Sequence, residues 1–331
     1  MFDMPLDFLK GKTVLITGGT GSFGQKCVHI LLEKSEASRI IIFSRDEFKQ
    51  SEMQNNIADP SRRLRFFIGD IRDKERLLLA FRGVDYVLHA AALKQVPALE
   101  YNPFEAIKTN IIGTKNVIDA ALDQGVKKVV LISTDKAANP ANLYGATKLC
   151  AERLIISGNA YSGDRTKFSI VRYGNVVGSR GSLTQVIKEQ KKTGEVFITH
   201  EEMTRFWITL DQGVGLALMA LEKMRGGEIF VPKIPSMKVK DFISVVAEGC
   251  RVKVVGIRPG EKLHEVLITP EEAKHTIEFK NYFIIFPEAN WWAKGEYNEC
   301  ERNREYGEIF SSNCNRDWID GEQLKILLNS I

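Results

Sequence analysis

The stretch Thr13-Val14-Leu15-Ile16-Thr17-Gly18-Gly19-Thr20-Gly21-Ser22-Phe23-Gly24 decides the fold. Its first five residues are a short apolar run that reads as a buried strand. Gly18, Gly21 and Gly24 follow at G-x-x-G-x-x-G spacing. Glycine permits a tight turn and lets backbone N–H groups approach a pyrophosphate, and the N-terminus of the next helix adds a positive partial charge. A lone glycine pattern also occurs in ordinary turns. Here strand, loop and helix stand in the order that a dinucleotide cradle needs. Gly18, Thr20, Gly21, Ser22, Phe23 and Gly24 are therefore candidate cofactor contacts.

Outward from this loop, apolar runs rich in Val and Ile recur at Thr13–Thr17, Arg39–Phe43, Leu64–Ile68, Tyr86–His89, Lys128–Ser133 and Ser169–Tyr173. Amphipathic stretches such as Gln25–Lys34, Lys74–Phe81, Phe104–Gln124 and Leu143–Ile156 lie between them. This alternation predicts an α/β fold, a Rossmann-like doubly wound parallel sheet with helices on both faces. Past Gly178 the rhythm loosens, with helices expected over Gln212–Lys223 and Lys240–Gly249. The reading is a dinucleotide-binding domain over 1–177 that carries the reacting residues. A smaller C-terminal α/β substrate lobe covers 178–331, with parts returning to the first domain. The polar tail around Trp291-Trp292 shows no clear pattern.

Composition narrows the class. The 331 residues are 44% hydrophobic and 27% charged, as in an ordinary soluble protein. A net charge of +4, with acids interspersed among the bases, gives nucleic-acid binding little support. Cys27, Cys150, Cys250, Cys300 and Cys314 are scattered, without the close pairs of a zinc site or disulfide framework, which points to a reducing cytosol. The segment Met1–Asp7 lacks the basic flank of a signal peptide. No run approaches about 18 uncharged apolar residues, so a cytoplasmic protein is expected. His89, His200 and His264 have no metal-ligand spacing, and no metal is expected.

The second strand ends in Ile42-Phe43-Ser44-Arg45-Asp46, with Lys49 one helical turn on. An NAD site usually puts a carboxylate here for the ribose hydroxyls. Ser44, Arg45 and Lys49 suit a 2′-phosphate and favour NADP, while Asp46 leaves NAD open. Asp70 and Ile71 after the third strand, and Ala90-Ala91-Ala92 after the fourth, fit the same site. The Asp could accept from an adenine amino group, and small side chains let a cofactor lie against the backbone.

The fifth apolar run leads into Thr134-Asp135-Lys136, and Tyr144-x-x-x-Lys148 follows on the next helical segment. Residues four apart share a helix face. A nearby ammonium stabilises a phenolate and makes Tyr144 usable as a base for a sugar hydroxyl. Asp135 and Lys136 add a second acid–base pair, more than simple redox chemistry needs.

On these residues, together with the Asn110-x-x-Gly113-Thr114 stretch, the chain resembles the extended short-chain dehydrogenases/reductases over essentially its whole length. It is most similar to inverting UDP-N-acetylglucosamine 4,6-dehydratases of the pseudaminic acid type. Thr134-Asp135-Lys136, Leu93-Lys94-Gln95-Val96-Pro97, Met203-Thr204-Arg205-Phe206 and Arg258-Pro259-Gly260-Glu261-Lys262 are the discriminating pieces. The resemblance implies NADP and UDP-N-acetylglucosamine as ligands, with Asn110 also at the cofactor. It implies that Tyr144 and Lys148 serve oxidation at C4, Thr134 holds the C4 oxygen, Asp135 protonates the departing C6 hydroxyl and Lys136 removes the C5 proton.

Related dehydratases that retain the C5 configuration carry a glutamate where Lys136 stands. As a base, Lys136 must be neutral, which fits a protonated Asp135 sharing one proton with it. On the substrate side, Lys94 and Asn175 are expected at the sugar or its phosphates, Arg205 and Arg258 as diphosphate clamps, and Glu261 at the uridine ribose. The resemblance also implies a homo-oligomer, with a hexamer among the arrangements, and a product destined for flagellin or another surface glycan. A retaining dehydratase, a sugar-nucleotide 4-epimerase or reductase, and a non-catalytic NADP-binding regulator stand as alternatives.

Overall fold

In a computed structural model of the chain, residues 2, 4–289, 297 and 300–329 are described, so Trp291-Trp292, Met1 and Asp3 lie outside them. Six strands, β1 (Thr13–Thr17), β2 (Arg39–Ser44), β3 (Leu64–Ile68), β4 (Tyr86–His89), β5 (Lys128–Thr134) and β6 (Lys167–Tyr173), pair in parallel in the order β3-β2-β1-β4-β5-β6. Val14, Leu15, Ile16, Val129 and Val130 are fully buried, as near-continuous apolar strands covered on both faces should be. The strand reversal between β1 and β4 places a ligand crevice at their carboxyl ends.

The connecting helices are α1 (Ser22–Lys34), α2 (Glu47–Asn56), α3 (Lys74–Ala80), α4 (Val96–Tyr101), α5 (Pro103–Ala106), α6 (Gly113–Gln124) and α7 (Leu143–Ser162). Three differ from the sequence expectation. The first begins at Ser22 rather than Gln25 and takes in Gly24, which packs so tightly on the Gly19 backbone that a Cβ there would collide. The stretch expected as one helix over Phe104–Gln124 is interrupted by a π-helical segment, Ile107–Ile112, which carries Thr109 and Asn110. The seventh helix runs on to Ser162, where Gly163 at φ 54° ends it.

Beyond residue 177 the chain does two things. Strand Ile229–Pro232 adds in parallel to β6, and Tyr282–Ile285, Thr276–Glu278 and Arg302–Asn303 continue antiparallel, giving a sheet of ten strands among the described residues. Helix Leu210–Lys223 starts two residues before the expected Gln212, because Thr209 and Gln212 form a reciprocal cap. The remainder builds a lobe with its own core, centred on Trp207 stacked on Phe242 at 4.1 Å. Helix Leu183–Lys191 in that lobe was not anticipated, and Val239–Val246 stops short of Gly249.

Candidate active site

A cavity of about 630 Å³ runs along the carboxyl ends of the parallel strands, a size ordinary for a small-molecule site. One arm is lined by Gly18, Thr20, Gly21, Ser22 and Phe23, by Ser44, Arg45 and Lys49 after β2, by Asp70 and Ile71 after β3, and by Ala90, Ala91 and Ala92 after β4. The other arm is lined by Lys94, Thr134, Lys136, Tyr144, Lys148 and Asn175.

The loop is built for close approach. Gly18 has φ 67°, and a Cβ on it would stand 2.9 Å from backbone atoms of Ala91. Loop and β4 therefore touch backbone to backbone, and the three alanines leave a flat floor beside the N-terminus of α1. These features fit a dinucleotide. Thr20 and Ser44 hydroxyls hydrogen-bond at 2.9 Å, which ties the loop to β2. At the far end Asp46 caps α2, accepting from the Lys49 backbone N–H at 3.0 Å and from its ammonium at 2.5 Å. Arg45 stays 57% exposed, its guanidinium 3.8 Å from Asp70, whose carboxylate also accepts from Arg72 at 2.7 Å.

At the reacting end, Thr134 donates to Asp135 Oδ1 at 2.9 Å, and Lys136 Nζ donates to the same oxygen at 3.0 Å. Asn175 Oδ1 lies 3.5 Å from Lys136 Nζ. Asp135 is fully buried, and its Oδ2 has no hydrogen-bond partner. Thr134 and Lys136 face the cavity and Asp135 sits behind them, which corrects the expectation of direct contact with the ligand.

A residue not foreseen from the sequence, Glu265, approaches Lys136 Nζ to 3.4 Å from the other side. Burial pushes the Asp135 carboxyl above its ordinary range, with Glu265 adding to the rise and Lys136 opposing it. Burial alone would lower Lys136, but the carboxylates of Asp135 and Glu265 outweigh it and hold the ammonium above the usual lysine range. Against the expectation of a neutral Lys136, the extra carboxylate favours the charged form.

Tyr144 and Lys148 share the cavity face of α7, whose first turn is capped by Asn142 accepting from Gly145 N–H at 2.8 Å. A Cβ on Gly145 would run into the Lys136 carbonyl oxygen, so glycine lets this helix seat Tyr144 against the Thr134–Lys136 turn. Burial raises the phenol to about 12, and the cation opposing that rise is Lys136. Lys148, expected to act on the phenol, donates instead to the Ile132 carbonyl at 2.8 Å, and burial lowers it to about 8 against the pull of Glu152.

Five further expected contacts lie elsewhere. Asn110 is buried and engaged with the Leu93 backbone at 2.8 and 2.9 Å and with Thr147 at 3.0 Å, so it pins the loop after β4 instead of lining the cavity. Arg205 is only 6% exposed and donates to the carbonyls of Thr204, Lys262 and Leu263, so it anchors a turn rather than clamping a diphosphate. Arg258 and Glu261 belong to that neighbouring turn, where the Glu261 N–H donates to the Arg258 carbonyl and the Arg258 N–H to the Glu261 carboxylate, and do not line this cavity. Gly24 packs under the loop. Lys94 does line the cavity, donating to the Arg180 carbonyl at 2.8 Å. Thr109 and Arg180 line it as well and had no sequence signal, whereas Glu265 follows three residues after Lys262 of a motif already singled out. His89 is a neutral core residue between Thr17 and Thr114, its pKa lowered by burial to about 3.

Comparison with known proteins follows the same lines. The profile of the polysaccharide biosynthesis protein family matches residues 14–287. An inverting UDP-N-acetylglucosamine 4,6-dehydratase of Campylobacter jejuni is 48% identical over 328 residues, covering 96% of this chain and 98% of the relative. A UDP-glucose 4-epimerase of Rickettsia canadensis is 41% identical, covering 83% and 82%. The X-ray structure of Pen from Bacillus thuringiensis superposes with a TM-score of 0.90 at 39% identity over 98% of both chains. The chain therefore belongs to the polysaccharide biosynthesis protein family, on the extended short-chain dehydrogenase/reductase fold that it shares with the inverting UDP-N-acetylglucosamine 4,6-dehydratases.

Proposed function

We propose that this chain is an NADP-dependent hydro-lyase that converts UDP-N-acetylglucosamine to a UDP-2-acetamido-2,6-dideoxy-4-keto-hexose with inversion at C5. The observation that carries the reading is the Thr134-Asp135-Lys136 turn, seated at the end of β5 against Tyr144, with Lys136 3.0 Å from Asp135. An epimerase needs the tyrosine and its cofactor but leaves this acid–base pair without a task. The 48% identity to an inverting dehydratase supports the same choice.

When bound, NADP supplies the hydride acceptor for C4 and the hydride that returns to C6. Lys148 and the glycine loop would hold it. Tyr144 takes the C4 hydroxyl proton, with the Lys136 cation lowering the cost of the phenolate. The 4-keto group then acidifies the C5 proton, which Lys136 removes once its own proton has moved to Asp135. Because Asp135 is buried behind Thr134, its proton reaches the C6 oxygen through the Thr134 hydroxyl. Inversion requires the new C5 proton to arrive on the face opposite Lys136.

NADP is favoured over NAD because Asp46, the carboxylate that would take ribose hydroxyls, is engaged by Lys49, while the Arg45 guanidinium stays exposed to a 2′-phosphate. Five free cysteines fit a reducing cytoplasm. Exposed Tyr101 and Phe104 favour a homo-oligomer. The product suits the first step of pseudaminic acid-type sugar synthesis for flagellin.

The test is incubation with UDP-N-acetylglucosamine in deuterated water without added reductant. A 4-keto product with a C6 methyl, deuterium at C5 and couplings of the inverted configuration is expected. A 4-epimer with an intact C6 hydroxyl would sink the dehydratase reading, and retained couplings would sink inversion. Lys136→Ala is expected to abolish C5 deuterium uptake.

A further inference from the structure

We propose that Glu265 is a positioning residue of the elimination, holding the Lys136 amine at C5 and stabilising the ammonium that forms there as the C5 proton arrives. This rests on the dehydratase reading above. Glu265 directly precedes strand Val266–Ile268 and is 2% exposed. Its backbone is locked by Ser312: the Glu265 N–H donates to the Ser312 hydroxyl at 3.0 Å, and the Ser312 N–H donates to the Glu265 carbonyl at 2.8 Å.

A buried carboxylate is costly unless cations surround it. Three do. Glu265 Oε1 lies 3.4 Å from Lys136 Nζ and 3.8 Å from Arg205 Nε, and Oε2 lies 3.3 Å from Lys262 Nζ. Arg205 and Lys262 are committed to protein carbonyls, Lys262 to that of Ala138 at 2.8 Å. Of the three, Lys136 alone lines the cavity. The carboxylate is therefore fixed by two spectator cations and aimed at the one nitrogen that changes charge.

The proton balance closes within the site. Once the Lys136 proton has moved across to Asp135, Asp135 is the acid and Lys136 the neutral base. The C5–H bond breaks, its electron pair forms the C5=C6 double bond, and its proton binds Lys136 Nζ. The C6–O bond breaks, and the oxygen leaves as water with the proton from Asp135. Asp135 is then a carboxylate and Lys136 an ammonium 3.0 Å away, the charged pair from which the proton first moved. Glu265 keeps its charge throughout. A preset carboxylate at the atom where positive charge develops costs no reorganisation during the step, as for the aspartate behind a catalytic histidine. The charged groups facing it are Lys136 and Asp135 after β5, Arg205 on strand Thr204–Ile208, and Lys262 of its own turn.

Glu265→Gln in the full chain keeps the shape and removes the charge. Its kcat is expected to fall on the order of 100-fold, with KM and NADP affinity unchanged. C5 deuterium uptake should slow in step with kcat, and reduced nicotinamide should accumulate in a single turnover because C4 oxidation is untouched. The pH limb belonging to Lys136 should move to lower pH. Glu265→Asp should recover part of the rate, and it carries the test if the Gln variant does not fold. Wild-type C5 exchange and pH profile in Glu265→Gln would overturn the proposal. So would equal loss of NADP binding and C4 oxidation in both variants, the mark of a structural prop. A wild-type chain that forms no 4-keto product would instead overturn the dehydratase reading itself.

Discussion

Lys148 donates its side-chain N–H to the carbonyl oxygen of Ile132 at 2.8 Å, so the cation of the Tyr144-x-x-x-Lys148 pair is positioned by the backbone of β5. Burial brings it to about 8 from 10.5, with Glu152 opposing. The folded chain therefore binds fewer protons here than the unfolded chain between about 8 and 10.5, so this group makes stability rise with pH across that window. Activity should move the other way. The Lys148 ammonium, which would hold the cofactor ribose in the proposed function, is full below about 8 and lost above it. Measured kcat/KM should decline as pH climbs past that point, and Lys148→Arg, charged throughout, should remove that limb. An unchanged limb in the Arg variant would refute the assignment.

Arg172 and Glu152, each 1% exposed, pair at 2.7 Å, and the same guanidinium reaches Glu272 at 2.8 Å. Ser133, next to Thr134, donates to Glu152 at 2.6 Å, so the pair braces the reacting end of β5. Arg172→Met would leave the buried Glu152 and the half-buried Glu272 without their cation, a loss of about 3–5 kcal/mol. Urea unfolding measures it, and a change within error of zero would contradict the buried network.

Gly145 offers a sharper test of geometry than of stability. A methyl at this position meets the Lys136 carbonyl. Gly145→Ala should cost about 1–3 kcal/mol by overpacking. It should also lower kcat, because Tyr144 and Lys136 are pushed apart. NADP binding, set mainly by the glycine loop, should persist, as cofactor titration would show.

An exposed residue tests the proposed preference for NADP. Arg45→Ala should weaken NADP about tenfold or more, the size of a lost charge-assisted hydrogen bond. NAD affinity should stay as it was. Equal effects on both cofactors, read by equilibrium binding, would remove Arg45 from the 2′-phosphate site.

The sequence alone determined the parallel α/β sheet and the glycine cradle, because these depend on local patterns: continuous apolar runs, glycines at fixed spacing, and helix faces. Thr134, Lys136, Tyr144 and Lys148 were legible for the same reason, being close in sequence around one strand end. What tertiary structure alone decided depends on long-range approach. Glu265 reaches Lys136 from a turn far along the chain, Asp135 retreats behind its neighbours, and Arg205 turns to backbone carbonyls instead of the cavity. No local pattern encodes which buried carboxylate faces which ammonium. That pairing sets the protonation of the acid–base turn, and it exists only once the lobe has folded against the sheet.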